Sequence, residues 1–357
     1  MEISSNENMS KLTNVIRVLI EVGIKEGVSD IHIGEGSNPI ARLNGNLIKL
    51  SQKTIITRGD IESIVKEYCP ELLNKLNTEN YLDTSFQYDK TRFRANFYFE
   101  RKKLACALRL IPGEIPNIDN LNLPNPVKNI LGLKNGLVLV TGATGSGKST
   151  TIASLINEIN KTKSEHILTI EDPIEFVYED KKSLIHQREI GSDCHSFHDA
   201  ILCALREDPD IIVLGEIRTH ESISSALTLA ETGHLVFATL HTKSAAESVD
   251  RIVDVFPPEQ QNQIRVQLAN TLKYVIAQRL VPKANSKGRT PLIELMVVNQ
   301  GIRSSITGAS PTSSIVDQIS LNNQRLGSQT FAQGARDLLA KGFISKEVAD
   351  EFILDNH

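Results

Sequence analysis

The run Gly142-Ala143-Thr144-Gly145-Ser146-Gly147-Lys148-Ser149 fits G-x-x-x-x-G-K-[ST] at every fixed position. These residue types at this spacing suit a polyphosphate. The glycines let backbone N–H groups wrap the phosphates, and the helix that follows adds the positive end of its dipole. Lys148 would reach the β- and γ-phosphates. The Ser149 hydroxyl would ligate Mg²⁺, with Thr150 beside it on the same turn. The bland alternative is a glycine-rich turn that binds nothing. Context disfavours it, because the apolar run Leu137–Val140 leads in as a buried strand and Ser149–Ile159 leads out as an amphipathic helix. The expected ligands are ATP or GTP with Mg²⁺.

Further candidates stand at the ends of apolar runs. Ile167–Ile170 leads into Glu171-Asp172-Pro173-Ile174-Glu175, a cluster of carboxylates that would face the nucleotide, one of them orienting the attacking water. The alternative is an acidic cluster opposing a helix dipole. Ile211–Leu214 ends in Gly215-Glu216, an apolar strand closed by an acid as in a Walker B segment, with Gly215 where an Asp is usual. Glu216 would hold Mg²⁺ through its water shell or polarise the nucleophile. His234 and His241 bracket the apolar run Leu235–Leu240. A single histidine is more often a structural residue, but a pair at the ends of one strand suggests contact with the nucleotide, His241 at the γ-phosphate. Arg92 and Arg94 share one face of an alternating segment, with Arg101 and Arg109 nearby. They are either a solvated face or arginines offered to a neighbouring subunit's γ-phosphate.

These residues need a scaffold that delivers strand ends to one edge. From Ile130 onward, strands at Leu137–Thr141, Ile167–Ile170, Ile211–Leu214 and Leu235–Leu240 alternate with helical stretches. This βαβ rhythm predicts a parallel sheet with helices on both faces and ligands at its C-terminal edge. The last ~90 residues read as mostly helical, with helices over Gln260–Arg279, Ser313–Ile319 and Phe331–Leu339. Before the linker the pattern differs. Leu12, Val15, Ile16, Leu19 and Ile20 mark one helix face, closed near Gly27. Strand-like alternations follow at Ile31–Ile33 and Ile40–Leu43, with turns at Gly34–Gly36 and Asn44–Gly45, then a helix over Asp60–Leu76. In Arg92–Phe99, Phe93, Ala95, Phe97 and Phe99 take one face. The chain therefore divides into a small α+β domain over residues 1–112, a proline-rich extended linker over 113–129, and an α/β domain over 130–357.

Composition excludes several classes. The formal net charge is −4: residues 1–112 carry 16 Lys+Arg against 14 Asp+Glu, and the remainder 23 against 29. Neither part has the basic excess of a nucleic-acid binder, so no nucleic-acid partner is expected. No apolar run approaches the ~18 residues of a membrane span. Arg17 and Glu21 interrupt the apolar positions near the N-terminus, unlike a signal peptide, so a cytoplasmic protein is expected. Cys69, Cys106, Cys194 and Cys203 form no C-x-x-C pair and read as free thiols.

Four linked segments then carry a resemblance. They are Gly142–Ser149, Thr169–Glu175, Ala204–Arg218 with Glu216 inside it, and Glu231-Thr232-Gly233-His234 through His241-Thr242. In this order they resemble the secretion superfamily ATPases and, within them, the type IV pilus retraction motors. Gly27-Val28-Ser29-Asp30-Ile31-His32 and the closing stretch from Gln329 to Ile344 match as well. The resemblance implies a RecA-like P-loop NTPase domain preceded by a small α+β PAS-like domain, assembled as a homohexamer. It implies Glu175 as catalytic base, Glu216 as the Walker B acid, and His234 and His241 as the histidine box. Arg92, Arg94 and Arg109, with Arg251 of the second domain, become candidates to complete a neighbour's site. It further implies an inner-membrane pilus platform protein of the PilC type as partner, the assembly ATPase as a second candidate partner, and a position at the cytoplasmic face of the membrane.

Within the superfamily, assembly and secretion motors carry a four-cysteine module after the histidine box and a longer N-terminus. This chain has neither, which favours pilus retraction and twitching motility. One segment departs from the retraction pattern Ala-Ile-Arg-Asn-Leu-Ile-Arg-Glu: here it reads Gly301-Ile302-Arg303-Ser304-Ser305-Ile306-Thr307-Gly308. The competing readings are a pilus assembly or type II secretion ATPase, a nucleic-acid-translocating RecA-like motor, and an accessory ring without essential hydrolysis.

Overall fold

The computed structural model describes residues 12–43, 46–111, 113–284, 288–308 and 311–354. It contains two compact units, Met1–Glu114 and Ile115–His357.

In the first unit, α1 (Asn14–Glu26) starts where Thr13 accepts the Ile16 N–H and stops at Gly27, whose φ of 67° is the left-handed cap that glycine adopts freely. β1 (Asp30–Gly34), β2 (Ile40–Leu43) and β3 (Asn46–Lys49) follow. The turn expected at Asn44–Gly45 lies outside the described residues. The single helix expected over Asp60–Leu76 is broken. α2 (Arg58–Tyr68) opens with a Thr57–Asp60 capping box and ends before Pro70, where a 3₁₀ turn leads into α3 (Leu73–Glu79). Pro70 has no N–H for the helix ladder and disfavours a helical Cys69. β4 (Tyr81–Tyr88), β5 (Thr91–Glu100) and β6 (Lys103–Ile111) complete an antiparallel sheet of order β3-β2-β1-β6-β5-β4. The alternation in β5 is observed: Phe93, Ala95 and Phe97 are fully buried, in one core with Ile16, Ile20, Ile61 and Ile64 of α1 and α2. Burying each phenylalanine is worth roughly 2–3 kcal/mol.

The proline-rich stretch is not an extended linker. Two 3₁₀ segments, Ile118–Leu121 and Asn125–Gly132, place Ile118, Val127 and Ile130 in a core with Ile152, Leu155 and Ile156. Apolar residues between the prolines carry the segment into the second unit, where Ser154 donates to the Pro116 carbonyl at 2.8 Å.

The second unit runs β7 (Gly136–Thr141), α4 (Lys148–Thr162), β8 (His166–Glu171), β9 (Leu184–Glu189), α5 (Phe197–Ala204), β10 (Ile211–Leu214), α6 (His220–Glu231), β11 (Leu235–Leu240), α7 (Ala245–Asp254) and α8 (Pro258–Thr271). Next come β12 (Leu272–Pro282), β13 (Arg289–Val297), α9 (Gln300–Ile306), α10 (Ser314–Leu321), α11 (Asn323–Leu326), α12 (Phe331–Ala340) and α13 (Lys346–Ile353). The sheet order is β13-β12-β7-β11-β10-β8-β9, parallel throughout except for the antiparallel β12–β13 pair. The expected helix Gln260–Arg279 is therefore half wrong. Ile264, Leu268, Leu272 and Val275 keep helical spacing across the boundary, so periodicity alone ran on into the strand. Tyr274, Val275 and Ile276 instead pair with β7 and are buried on both faces.

In the departing segment Gly301–Gly308, the retained Ile302 and Ile306 are fully buried on α9. A Cβ at Gly301 would meet the Gln318 side-chain oxygen at 2.6 Å, a mobile end that could yield to alanine.

Candidate nucleotide-binding and catalytic site

The loop after β7 folds as its glycines require. Gly142, Gly145 and Gly147 have φ of 144°, 75° and 88°, all unfavourable for a side chain. α4 then starts at Lys148 with no side-chain cap, so its first N–H groups stay available to an anion. Thr144 and Gly145 are exposed at the loop tip, and Ser149 and Thr150 are half-buried on the first turn. Ser146 is the informative residue. Its Oγ is buried and, among the described residues, makes no hydrogen bond; Thr141 Oγ1 at the strand end is the same. Leaving a buried hydroxyl unpaired costs about 1–3 kcal/mol, so these orphans fit a loop shaped around a polar ligand.

Lys148 is buried and donates to the Gly142 and Ala143 carbonyls at 2.8 and 3.1 Å. Burial lowers its pKa, opposed by the charges of Glu216 and Glu175, which places both carboxylates within electrostatic reach of the ammonium.

The three carboxylates after β8 separate by environment. Glu171 accepts from Thr169 Oγ1 at 2.7 Å, Gln187 Nε2 at 3.3 Å and the Glu175 N–H at 3.4 Å. Its burial pushes its pKa up despite these bonds. Asp172 is exposed and the Asp172–Pro173 peptide is cis. Glu175 is exposed, and its carboxylate makes no hydrogen bond among the described residues. Glu171 thus serves the loop and leaves Glu175 available for chemistry. Gln187 on β9 also donates to the Phe176 carbonyl at 2.8 Å, and Glu189 accepts the Ile174 N–H at 3.0 Å.

β10 delivers Glu216 to the same edge. Gly215 N–H donates to the Ile170 carbonyl at 2.8 Å, and Thr239 Oγ1 donates to the Gly215 carbonyl. A Cβ at Gly215 would lie 3.2 Å from Glu171 Cα, so the missing Walker B aspartate follows from how closely β8 passes. Arg218 grips both oxygens of Glu216, and His241 Nε2 lies 3.0 Å from Oε1. Burial would raise the Glu216 pKa, but Arg218 and His241 outweigh it and hold the carboxyl below its usual value.

Within the unit, Lys148, Glu175, Glu216 and His241 come together at the sheet's C-terminal edge. His234 does not join them. It precedes β11 at the opposite edge, where its Nδ1 lies 3.0 Å from the Leu229 carbonyl at the end of α6. Six strand residues separate the two histidines by roughly 20 Å, so His234 is a helix-end residue here. Arg251 is exposed on α7. In the first unit Arg94 and Arg109 are cross-strand neighbours. Arg109 pairs with Asp30 at 2.8 Å and Arg92 donates to Ser85 at 2.6 Å. Arg94 is exposed and unpaired among the described residues.

The sequence reading missed Gln278. This residue of β12 is buried, donates Nε2–H to the Ser146 carbonyl at 2.7 Å and accepts from Thr151 Oγ1 at 2.7 Å. A glutamine at the end of the apolar run Tyr274–Ala277 was the available signal.

Comparisons with known proteins bear on the family and the fold. The family model described as type II/IV secretion system protein matches residues 5–349. A type IV pilus retraction ATPase, PilT of Pseudomonas aeruginosa, is 40% identical over 339 residues, covering 94% of this chain and 97% of the relative. A twitching motility protein of Neisseria gonorrhoeae is 40% identical over 313 residues, covering 87% and 83%. The crystal structure of a pilus retraction motor PilT with bound ADP superposes with a TM-score of 0.87 at 42% identity, covering 96% of this chain and 98% of that one.

Proposed function

The chain belongs to the type II/IV secretion system protein family, and from that premise we propose that it is an ATPase motor that drives type IV pilus retraction. The observation that carries the hydrolytic reading is the convergence of Glu175 and Glu216 on buried Lys148 beside a loop with an orphaned Ser146 hydroxyl. The ADP-bound PilT neighbour supports nucleotide binding in this RecA-like fold.

Each residue's work follows from its setting. The loop N–H groups of Gly145–Ser149 and the Ser146 hydroxyl bind the phosphates, and Lys148 neutralises their charge. Ser149 and Glu216 would hold Mg²⁺, which when bound would offset the negative charge developing on the phosphates. Glu175, whose carboxylate has no hydrogen-bond partner among the described residues, orients the attacking water and takes its proton. His241 and Arg218 hold Glu216 ionised and in place. Arg94, exposed and without a partner among the described residues, is the arginine we assign to the neighbouring subunit's γ-phosphate, with Arg92, Arg109 and Arg251 as lesser candidates. The assembly is a homohexamer acting on an inner-membrane platform protein at the cytoplasmic face. Among the described residues no helix is long and apolar enough to cross a membrane.

The direction of work is tested by counting surface pili in a strain lacking this gene. More pili with twitching lost supports retraction; absent pili identifies an assembly motor; no change refutes a role in either. Arg94→Ala is expected to cut turnover at least tenfold with ADP affinity nearly unchanged. Mixing it with Glu175→Ala protein under subunit exchange restores activity if the arginine acts in trans. Persistent inactivity removes that assignment.

A further inference from the structure

Gln278 stands where no nucleotide motif would place a functional residue, on a strand far along the chain from the glycine-rich loop. We propose that it is the positioning residue that holds that loop in its phosphate-binding shape, acting through Ser146 and Thr151 without touching the nucleotide. The proposal rests on the nucleotide-binding reading above.

The geometry assigns the amide's orientation. The Ser146 carbonyl can only accept, so Nε2 must face it, at 2.7 Å. Oε1 is then left to accept the Thr151 hydroxyl, also at 2.7 Å. One side chain therefore ties the last turn of the loop to the first turn of α4, with Lys148 and Ser149 between the tied points. The loop also passes close to this residue, to its backbone at Gly142 and to its side chain at Gly147. A Cβ at Gly142 would lie 2.4 Å from the Gln278 carbonyl oxygen, and one at Gly147 would lie 2.7 Å from its Nε2. Gly147 is thus required by close approach of the Gln278 amide as well as by its φ, and Gly142 by close approach of the β12 backbone as well as by its φ. With the Ser146 carbonyl drawn toward β12, the same residue's hydroxyl remains buried and unpaired. Gln278 itself is buried and bonded at both ends, so the bracket is shielded from competing water.

A group that pre-shapes the loop should change binding more than chemistry, since its contribution is made before the γ-phosphate reacts. The test uses full-length protein and its own substrate. Gln278→Met keeps the side-chain length and removes both bonds. It is expected to weaken ADP binding and raise KM for ATP about tenfold, while kcat at saturating ATP falls less than threefold. Thr151→Val removes one bond and is expected to weaken ADP binding about threefold, with the double variant no weaker than Gln278→Met alone. A purely structural residue would lower the active fraction instead, so that kcat falls with KM and ADP affinity unchanged; that result overturns the proposal. If Gln278→Met does not fold, Thr151→Val decides alone, and ADP affinity equal to wild type rejects the bracket. Failure of the wild-type protein to bind ADP would instead reject the nucleotide-site reading, which separates the two.

Discussion

The two edges of the second unit's sheet are made from the same strands yet carry different chemistry. At the C-terminal edge, β7, β8, β10 and β11 deliver the phosphate loop, Glu175, Glu216 and His241, with like charges and a lysine held close together. At the N-terminal edge the same strands begin at Gly136, His166, Ile211 and Leu235. Here a cavity of about 200 Å³ is lined by Gly136, Glu231, Gly233, Asn270 and Lys273. The cavity edge has room, and two of the polar groups near it are engaged: Gln267 donates to Glu231 at 2.7 Å, and His234 Nδ1 lies 3.0 Å from the Leu229 carbonyl. The other edge keeps polar groups that have no hydrogen-bond partner among the described residues, namely the buried Ser146 hydroxyl and the exposed Glu175 carboxylate. Of the three buried side-chain atoms without a partner among the described residues, Thr141 Oγ1 and Ser146 Oγ stand at this edge and Arg303 Nε lies on α9; a ligand at the phosphate loop would repay the burial of the first two.

The largest expected effect lies on the charged edge. Lys148→Ala removes the cation that Glu175 and Glu216 face, leaving two carboxylates opposite an incoming polyphosphate. ATP binding is expected to fall by at least a hundredfold, measured by calorimetry on the full-length protein. Turnover at the wild-type rate would place the site elsewhere, and the cavity edge would be the next candidate.

A second, smaller effect separates the histidines of β11. His241→Ala removes the 3.0 Å contact to Glu216 and is expected to reduce turnover ten- to a hundredfold. His234→Ala removes a contact to the Leu229 carbonyl. It is expected to leave turnover within about twofold and to lower the melting temperature by a few degrees. Equal losses of turnover for both would mean that the two edges do not divide the work as drawn here.

The difference between the edges also explains what the sequence disclosed. The phosphate loop, the acidic box and Gly215-Glu216 are contiguous segments, each after an apolar strand, and local spacing is enough to see them. His234 was grouped with His241 because a strand's two ends look alike in sequence, although parallel pairing puts them on opposite edges. Strand β12 was read as helix because Leu272 and Val275 continue the spacing of Ile264 and Leu268; only pairing with β7 decides otherwise. The role of Gln278 could not be read locally for the same reason, since its partners Ser146 and Thr151 lie 132 and 127 residues away; a glutamine at the end of an apolar run was the only local sign. The linker was misjudged because proline density was weighed above the apolar Ile118, Val127 and Ile130 between the prolines.

The smallest effect concerns how the charged edge stays charged. Burial would raise the Glu216 pKa, and Arg218 and His241 together hold it below the usual carboxylate value. Glu216 is therefore ionised down to a lower pH than an ordinary glutamate. Any activity that needs its carboxylate is lost only as pH falls through that depressed value. Arg218→Ala leaves burial opposed by His241 alone, so the carboxyl pKa rises and the acid limb of the kcat profile moves to higher pH. The stability contribution has the same sign: a depressed carboxyl stabilises the fold above its unfolded pKa, and that part is lost as the pH falls. The measurement is kcat from about pH 4 to 8 for both proteins, with circular dichroism at each pH to exclude unfolding. An acid limb that stays in place would mean that Arg218 does not set the charge of Glu216 and that the grip between them serves only to orient it.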